Sequence, residues 1–212
     1  TRPICNILFA DPTYRKMYVA HIKTIIEEFF SNNYYHQKSD SLHSTISAAF
    51  QSDQNTFYTW NQATQNITTS VTGGGAPGGG TKVGITELMN ARTTYILAQT
   101  EFLYPTPNIS NINLSAVNPI PYSTIDISAY ITSPTGAPGP TAFLGYRNSP
   151  AEMFTKVPMI DQGGGTFSAS INLGASDVQY YIYAENSGAG IFSPVRAEHE
   201  FYIISVTGDL VI

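Results

Sequence analysis

The stretch FLYPTPNIS, Phe102 to Ser110, decides how the chain divides. Two prolines one residue apart cannot continue a helix, because each removes a backbone N–H and biases its predecessor toward an extended conformation. The hydrophobic period changes across Tyr104-Pro105-Thr106-Pro107. Upstream, Tyr14, Tyr18, Ile22, Ile25 and Phe29 recur at helical spacing, with Asp11 as N-cap and Pro12 at the first helical position, which predicts a helix over 11–30. Leu42, Ile46, Ala49 and Phe50 share a second helical face. Phe57, Trp60, Ile67 and Val71 share a third, after the cap candidates Asp53 and Thr56. Leu88, Met89, Arg92, Tyr95 and Ile96 carry the helical period to about Thr100. Downstream, the period is two. Ile125, Ile127, Ala129 and Ile131 alternate with Asp126, Ser128 and Tyr130; Phe167, Ala169 and Ile171 alternate with serines; Tyr181, Tyr183, Phe201 and Ile203 sit in similar runs. Turn signals at Pro134–Gly136, Gly163–Gly165, Gly174 and Ser187-Gly188 separate about seven short strands. The expected architecture is α+β and multidomain: a small helical bundle over 1–104, then an all-β immunoglobulin- or fibronectin-like sandwich over 105–207 that lacks the usual cysteine pair.

Composition narrows the function classes. The 212 residues carry a net charge of −5 with only ten lysines and arginines. Nucleic acid is therefore not an expected partner, since that affinity comes from clustered basic residues. No apolar run reaches the length of a membrane span. The single cysteine, Cys5, has no internal disulfide partner and reads as a small core residue. Thr1-Arg2-Pro3 lacks an initiator methionine, which suggests an excised piece.

The chemistry-bearing motifs are few. The run TGGGAPGGGTKV, Thr72 to Val83, places Gly75 and Gly80 at P-loop spacing, but Thr81-Lys82 reverses the required Lys-Ser/Thr order. Between two expected helices it reads as a connector, and Lys82 as a nucleotide ligand is the weaker reading. His21 has no second metal ligand one turn away. His36 and His43, seven apart, are separated by about 10 Å of helical rise, too far to share an ion. His199 in an expected strand faces away from Glu198 and Glu200. Met159–Gly165 has one carboxylate, Asp161, and reads as a hairpin turn rather than a calcium loop. Tyr181 and Tyr183 alternate on one strand, so their rings could form a platform that stacks on a sugar, the one candidate ligand site; burial against the core or the helical half is the competing reading.

The segment ILFADPTYRKMYVAHIKTIIEEFF, Ile7 to Phe30, resembles the corresponding part of the bacterial CotH family, spore-coat-like proteins with an atypical kinase fold. VGITELMNARTTYILAQTEF, Val83 to Phe102, is similar to the arginine-bearing helix that closes that region. The resemblance covers residues 1–104. FTKVPM from Phe154, GTFSASI from Gly165 and VQYYIYAENSGAGIFSPVRAEHEFY from Val178 look like the Ig-like module that follows in large secreted bacterial proteins. Gly208 to Ile212 is similar to the first strand of a lamin-tail domain.

The resemblance implies an extracellular or cell-surface location, and ATP and a divalent metal only for a nucleotide-binding lobe that none of these residues supplies. No catalytic, cofactor or metal role transfers to a residue of this chain, and no cofactor is expected in it. The expected function is a non-catalytic C-terminal fragment, not an enzyme by itself: the helices support a kinase-like lobe in the remainder of the parent chain, and the sandwich is a spacer or adhesion module. In such a fragment an apolar seam that includes Phe57 and Trp60 is expected to need a cover. The alternative is a carbohydrate- or protein-binding module that presents Tyr181 and Tyr183 to a glycan or protein ligand.

Overall fold

The computed structural model describes residues 3–73, 80–134 and 139–207. In chain order the helices are α1 (Pro3–Ala10), α2 (Pro12–Ile25), a π-helical turn (Ile26–Phe30), α3 (Tyr34–Ser52), α4 (Trp60–Gln65), α5 (Ile85–Leu97) and α6 (Thr100–Leu103). A hairpin of β1 (Val71–Gly73) and β2 (Gly80–Lys82) lies between α4 and α5. After α6 come β3 (Asn108–Leu114), β4 (Thr124–Thr132), β5 (Thr141–Arg147) and β6 (Thr155–Asp161). The last four strands are β7 (Thr166–Asn172), β8 (Val178–Glu185), β9 (Gly190–Ser193) and β10 (Tyr202–Ile204). The mixed α+β composition is as expected.

The described residues form two compact units, one of 3–24 with 103–134 and 139–207, and one of 25–73 with 80–102. The division at 102/103 lies within two residues of the boundary expected at 104, but residues 3–24, expected with the helical bundle, group with the strands. The first helical stretch belongs with the strands because α2 turns Met17 and Ala20 onto an aromatic cluster of Tyr181, Tyr183 and Phe192.

In the β-rich unit the antiparallel strands run β10-β8-β5-β6-β7-β4-β3. β6 changes partner along its length: Thr155–Met159 pair with β5, whereas Ile160 and Asp161 pair with β7. The sheet curls there, and apolar side chains from both ends meet in one core. Ile125, Ile127, Ile131 and Ile171 come from β4 and β7; Leu144, Val178 and Ile182 come from β5 and β8. The period-two pattern of β4 appears directly in its burial, with every isoleucine inside and Thr124, Asp126 and Tyr130 exposed. On its other side β8 carries two short strands in line, β9 beside Ile182–Glu185 and β10 beside Val178–Tyr180. Residues 194–201 interrupt what would otherwise be one edge strand. His199 lies in this turn and not in a strand, which corrects its expected placement.

The helical unit is sparsely cored. Ile26, Ile67 and Val71 are its buried large apolar residues among those described, and neither α3 nor α5 buries any residue. α2 starts as expected, with Asp11 Oδ1 accepting the Thr13 and Tyr14 N–H groups (2.8 and 3.3 Å). The third expected helix is shorter than its apolar period. Thr59 caps it through a reciprocal capping box with Gln62, it ends at Gln65, and Val71 lies in β1. The β-branched and hydroxyl residues Thr68-Thr69-Ser70-Val71 favour extended backbone over a further helical turn.

The glycine run is therefore flanked by the two strands of a hairpin and not by two helices. Gly73 and Gly80 are paired in it, while 74–79 lie outside the described residues. Cys5 is exposed on α1, which corrects its expected core position. The lamin-tail-like residues 208–212 also lie outside the described residues.

Candidate functional site

The tyrosines expected as a platform are the first place to look. β8 is buried on both faces. Tyr180, Ile182 and Ala184 point into the shared core, and Tyr181 and Tyr183 point the other way, under α2 and beside Phe192 and Ala197. Each of the two rings is only 1% exposed. Neither can stack on a solvent-borne sugar, which corrects the platform reading; period-two alternation here marks a second buried face.

Their hydroxyls are satisfied internally. Tyr181 donates to Glu198 Oε1 and Tyr183 to Glu185 Oε2, each at 2.8 Å. Burial, reinforced by these carboxylate partners, pushes both phenols far above their ordinary range. Glu185 in turn accepts Lys16 Nζ (2.9 Å) and the Thr13 hydroxyl (3.1 Å), so α2 is tied to β8 by a largely buried ion pair. The fit leaves no room for larger residues opposite: a Cβ at Gly145 would enter the Tyr181 ring, and one at Gly190 would meet the Tyr183 hydroxyl.

His21 sits in the same seam, its ring stacked on Phe192 with centroids 4.6 Å apart. Burial, and secondarily the neighbouring His199, hold its pKa below 6.5, while Glu198 pulls the other way. The folded protein thus binds this proton less tightly than the unfolded chain. Above pH 6.5 the group costs nothing; as pH falls below that value protonation favours unfolding, until the folded-state pKa is passed. Denaturant midpoints of the β-rich unit should fall between about pH 7.5 and pH 5.5, and the fall should be smaller in His21→Phe. An identical pH profile in that variant would show that His21 is not responsible.

The second feature is a cleft of about 520 Å³ in the helical unit, between α3, α4, the β1–β2 hairpin and the start of α5. Phe50, Phe57, Ile67, Val71 and Ile85 give it an apolar wall. Trp60 packs behind, against His43 and Phe50, with ring centroids 5.1 and 5.4 Å away. Several polar wall residues are committed to holding the frame. Asn66 Nδ2 donates to the carbonyls of Thr69 and Lys82, Gln62 closes the α4 cap, and the Tyr58 hydroxyl donates to Gly80 O. Glu87 fixes the hairpin to α5 by accepting the Ser70 hydroxyl and the Ser70 and Gly84 N–H groups, and the Ser70 hydroxyl above all lowers its pKa. Along the cleft, among the described residues, the exposed Lys82 ammonium, the Asn55 side-chain amide and the Thr56 hydroxyl are not drawn into this frame; His43 Nδ1 also lacks a hydrogen bond but is closed off from solvent.

This cleft was not foreseen from sequence. In the sequence His43 and Lys82 read only as candidate metal and phosphate ligands, and 39 positions of chain separate them. Among the described residues no group of three or more His, Cys, Asp or Glu side chains gathers as a metal site would require, and no helix is long and apolar enough to cross a membrane. His36 faces Asp40 on α3 (3.1 Å) and Asp161 caps the Gly163 N–H in the β6–β7 turn (2.8 Å). Neither protein-family models nor curated proteins match the chain.

Proposed function

We propose that this chain is a supporting, non-catalytic part of a CotH-like protein, whose helices complete a larger kinase-like domain and whose strands form an Ig-like spacer or adhesion module. The carrying observation is unspent apolar surface on the helices. Ile4 and Ile7 on α1 are 81% and 76% exposed, Phe57 and Tyr95 in the helical unit 67% and 69%, and Leu42 and Ile46 on α3 are exposed as well. Apolar side chains left this exposed on the helices are the ones a covering body would bury. Trp60, the other residue expected in the seam, is half-buried against α3. For the second module, β3-β4-β7 and β6-β5-β8 with β9 and β10 have the strand neighbours of a Greek-key sandwich, which supports the Ig-like reading. A secreted or surface location follows from the same resemblance.

Calorimetric titration with ATP and Mg²⁺ tests the reading. This chain should give no saturable heat, whereas a longer chain that also carries a nucleotide-binding lobe should bind. Saturable binding by this chain alone would overturn the proposal, as would failure of the longer chain to bind.

A further inference from the structure

We propose that the cleft of the helical unit binds a small monocarboxylate with an aromatic or branched apolar body. Its volume, about 520 Å³, lies in the range of pockets that enclose small ligands, and its lining follows their usual plan of apolar walls with a few polar groups. Phe50, Phe57, Ile67, Val71 and Ile85 offer the apolar body a surface that the chain itself does not cover.

The uncommitted polar groups set the rest of the chemistry. Lys82 has no ion-pair partner among the described residues and offers a carboxylate a charge-assisted contact. Asp53 also lines the cleft, and its Oδ1 accepts the Asn55 N–H (2.8 Å) in the turn after α3. That remaining negative charge disfavours phosphate esters and dicarboxylates, and limits the ligand to a single anionic group. His43 Nδ1 is also without a hydrogen bond, but it is closed off from solvent and takes no part in the recognition.

The chain supplies its own reporter. Trp60 is the single tryptophan of the sequence and contacts both His43 and Phe50. N-acetyl-phenylalanine is the probe, titrated while Trp60 emission is followed. A saturable change with Kd below about 1 mM is expected. N-acetyl-phenylalanine amide, which lacks the charge, should bind about tenfold more weakly to the native chain. Lys82→Gln should weaken the acid about tenfold and leave the amide unchanged, so that the two losses do not add. Lys82 is exposed at the hairpin, so this variant should retain the native far-UV circular dichroism. No saturation at millimolar probe, or equal affinity of acid and amide, would overturn the proposal; so would full affinity in Lys82→Gln.

Discussion

Replacing Glu185 with alanine should lower the stability of the β-rich unit by about 3 kcal/mol. Its carboxylate accepts Lys16 Nζ, the Thr13 hydroxyl and the Tyr183 hydroxyl, and the side chains of the ion pair are only 15% and 16% exposed. Truncation removes the common acceptor of all three. The lysine ammonium then keeps only the Asn186 carbonyl (2.9 Å), and the buried Tyr183 hydroxyl loses its acceptor. Removing both charges is a different experiment. Lys16→Met combined with Glu185→Leu should cost much less than Glu185→Ala, because no uncompensated charge remains. Urea unfolding of the three proteins decides the matter. A loss below about 1 kcal/mol in Glu185→Ala would mean that the pair behaves as a solvated surface contact.

Ile182→Ala should cost about 3–4 kcal/mol, the largest effect expected of an aliphatic truncation here. Ile182 is fully buried in the middle of β8, opposite Leu144 on β5 and Ser193 on β9. Close packing on both sides leaves little scope for neighbours to close the void. Ile203 on β10 is the internal control, because it is 56% exposed; Ile203→Ala should change stability by less than about 0.5 kcal/mol. Equal midpoints for the two variants would contradict the core assignment.

Much of the strand half could be read from its residues. In β4 and β7 the alternation of isoleucine, alanine and phenylalanine with serine, threonine and aspartate matches their inside and outside faces residue by residue. β8 is where the same argument failed. Tyr181 and Tyr183 share a face under either reading, and alternation cannot tell an aromatic platform from a second buried layer. The informative signal was the near-continuous apolar run VQYYIYAE, which marks a strand covered on both sides.

What covers it is α2, whose Lys16 and His21 meet Glu185 and Phe192 across more than 160 residues of chain. No local pattern carries that partnership, and so the grouping of residues 3–24 with the strands is not legible in the sequence. In α1, PICNILFA is too evenly apolar to show a period. In the 53–71 region apolar spacing suggested more helix than the β-branched run after Gln65 permits. The cleft was illegible for a related reason: it exists only where the hairpin brings Lys82 near residues of α3 and α4.

The broken last strand, β9 and β10 with 194–201 between them, bears on how the molecule behaves beside its own copies. A long straight outer strand would present a row of unpaired N–H and C=O groups to any neighbour able to add a strand of its own. Here the row is cut into pieces of four and three residues. Pro194 at the break has no N–H to offer, and the intervening turn places the Arg196–Glu200 ion pair beside it. The insertion that supplies Glu198 to Tyr181 therefore also blunts this margin of the sheet against edge-to-edge polymerisation.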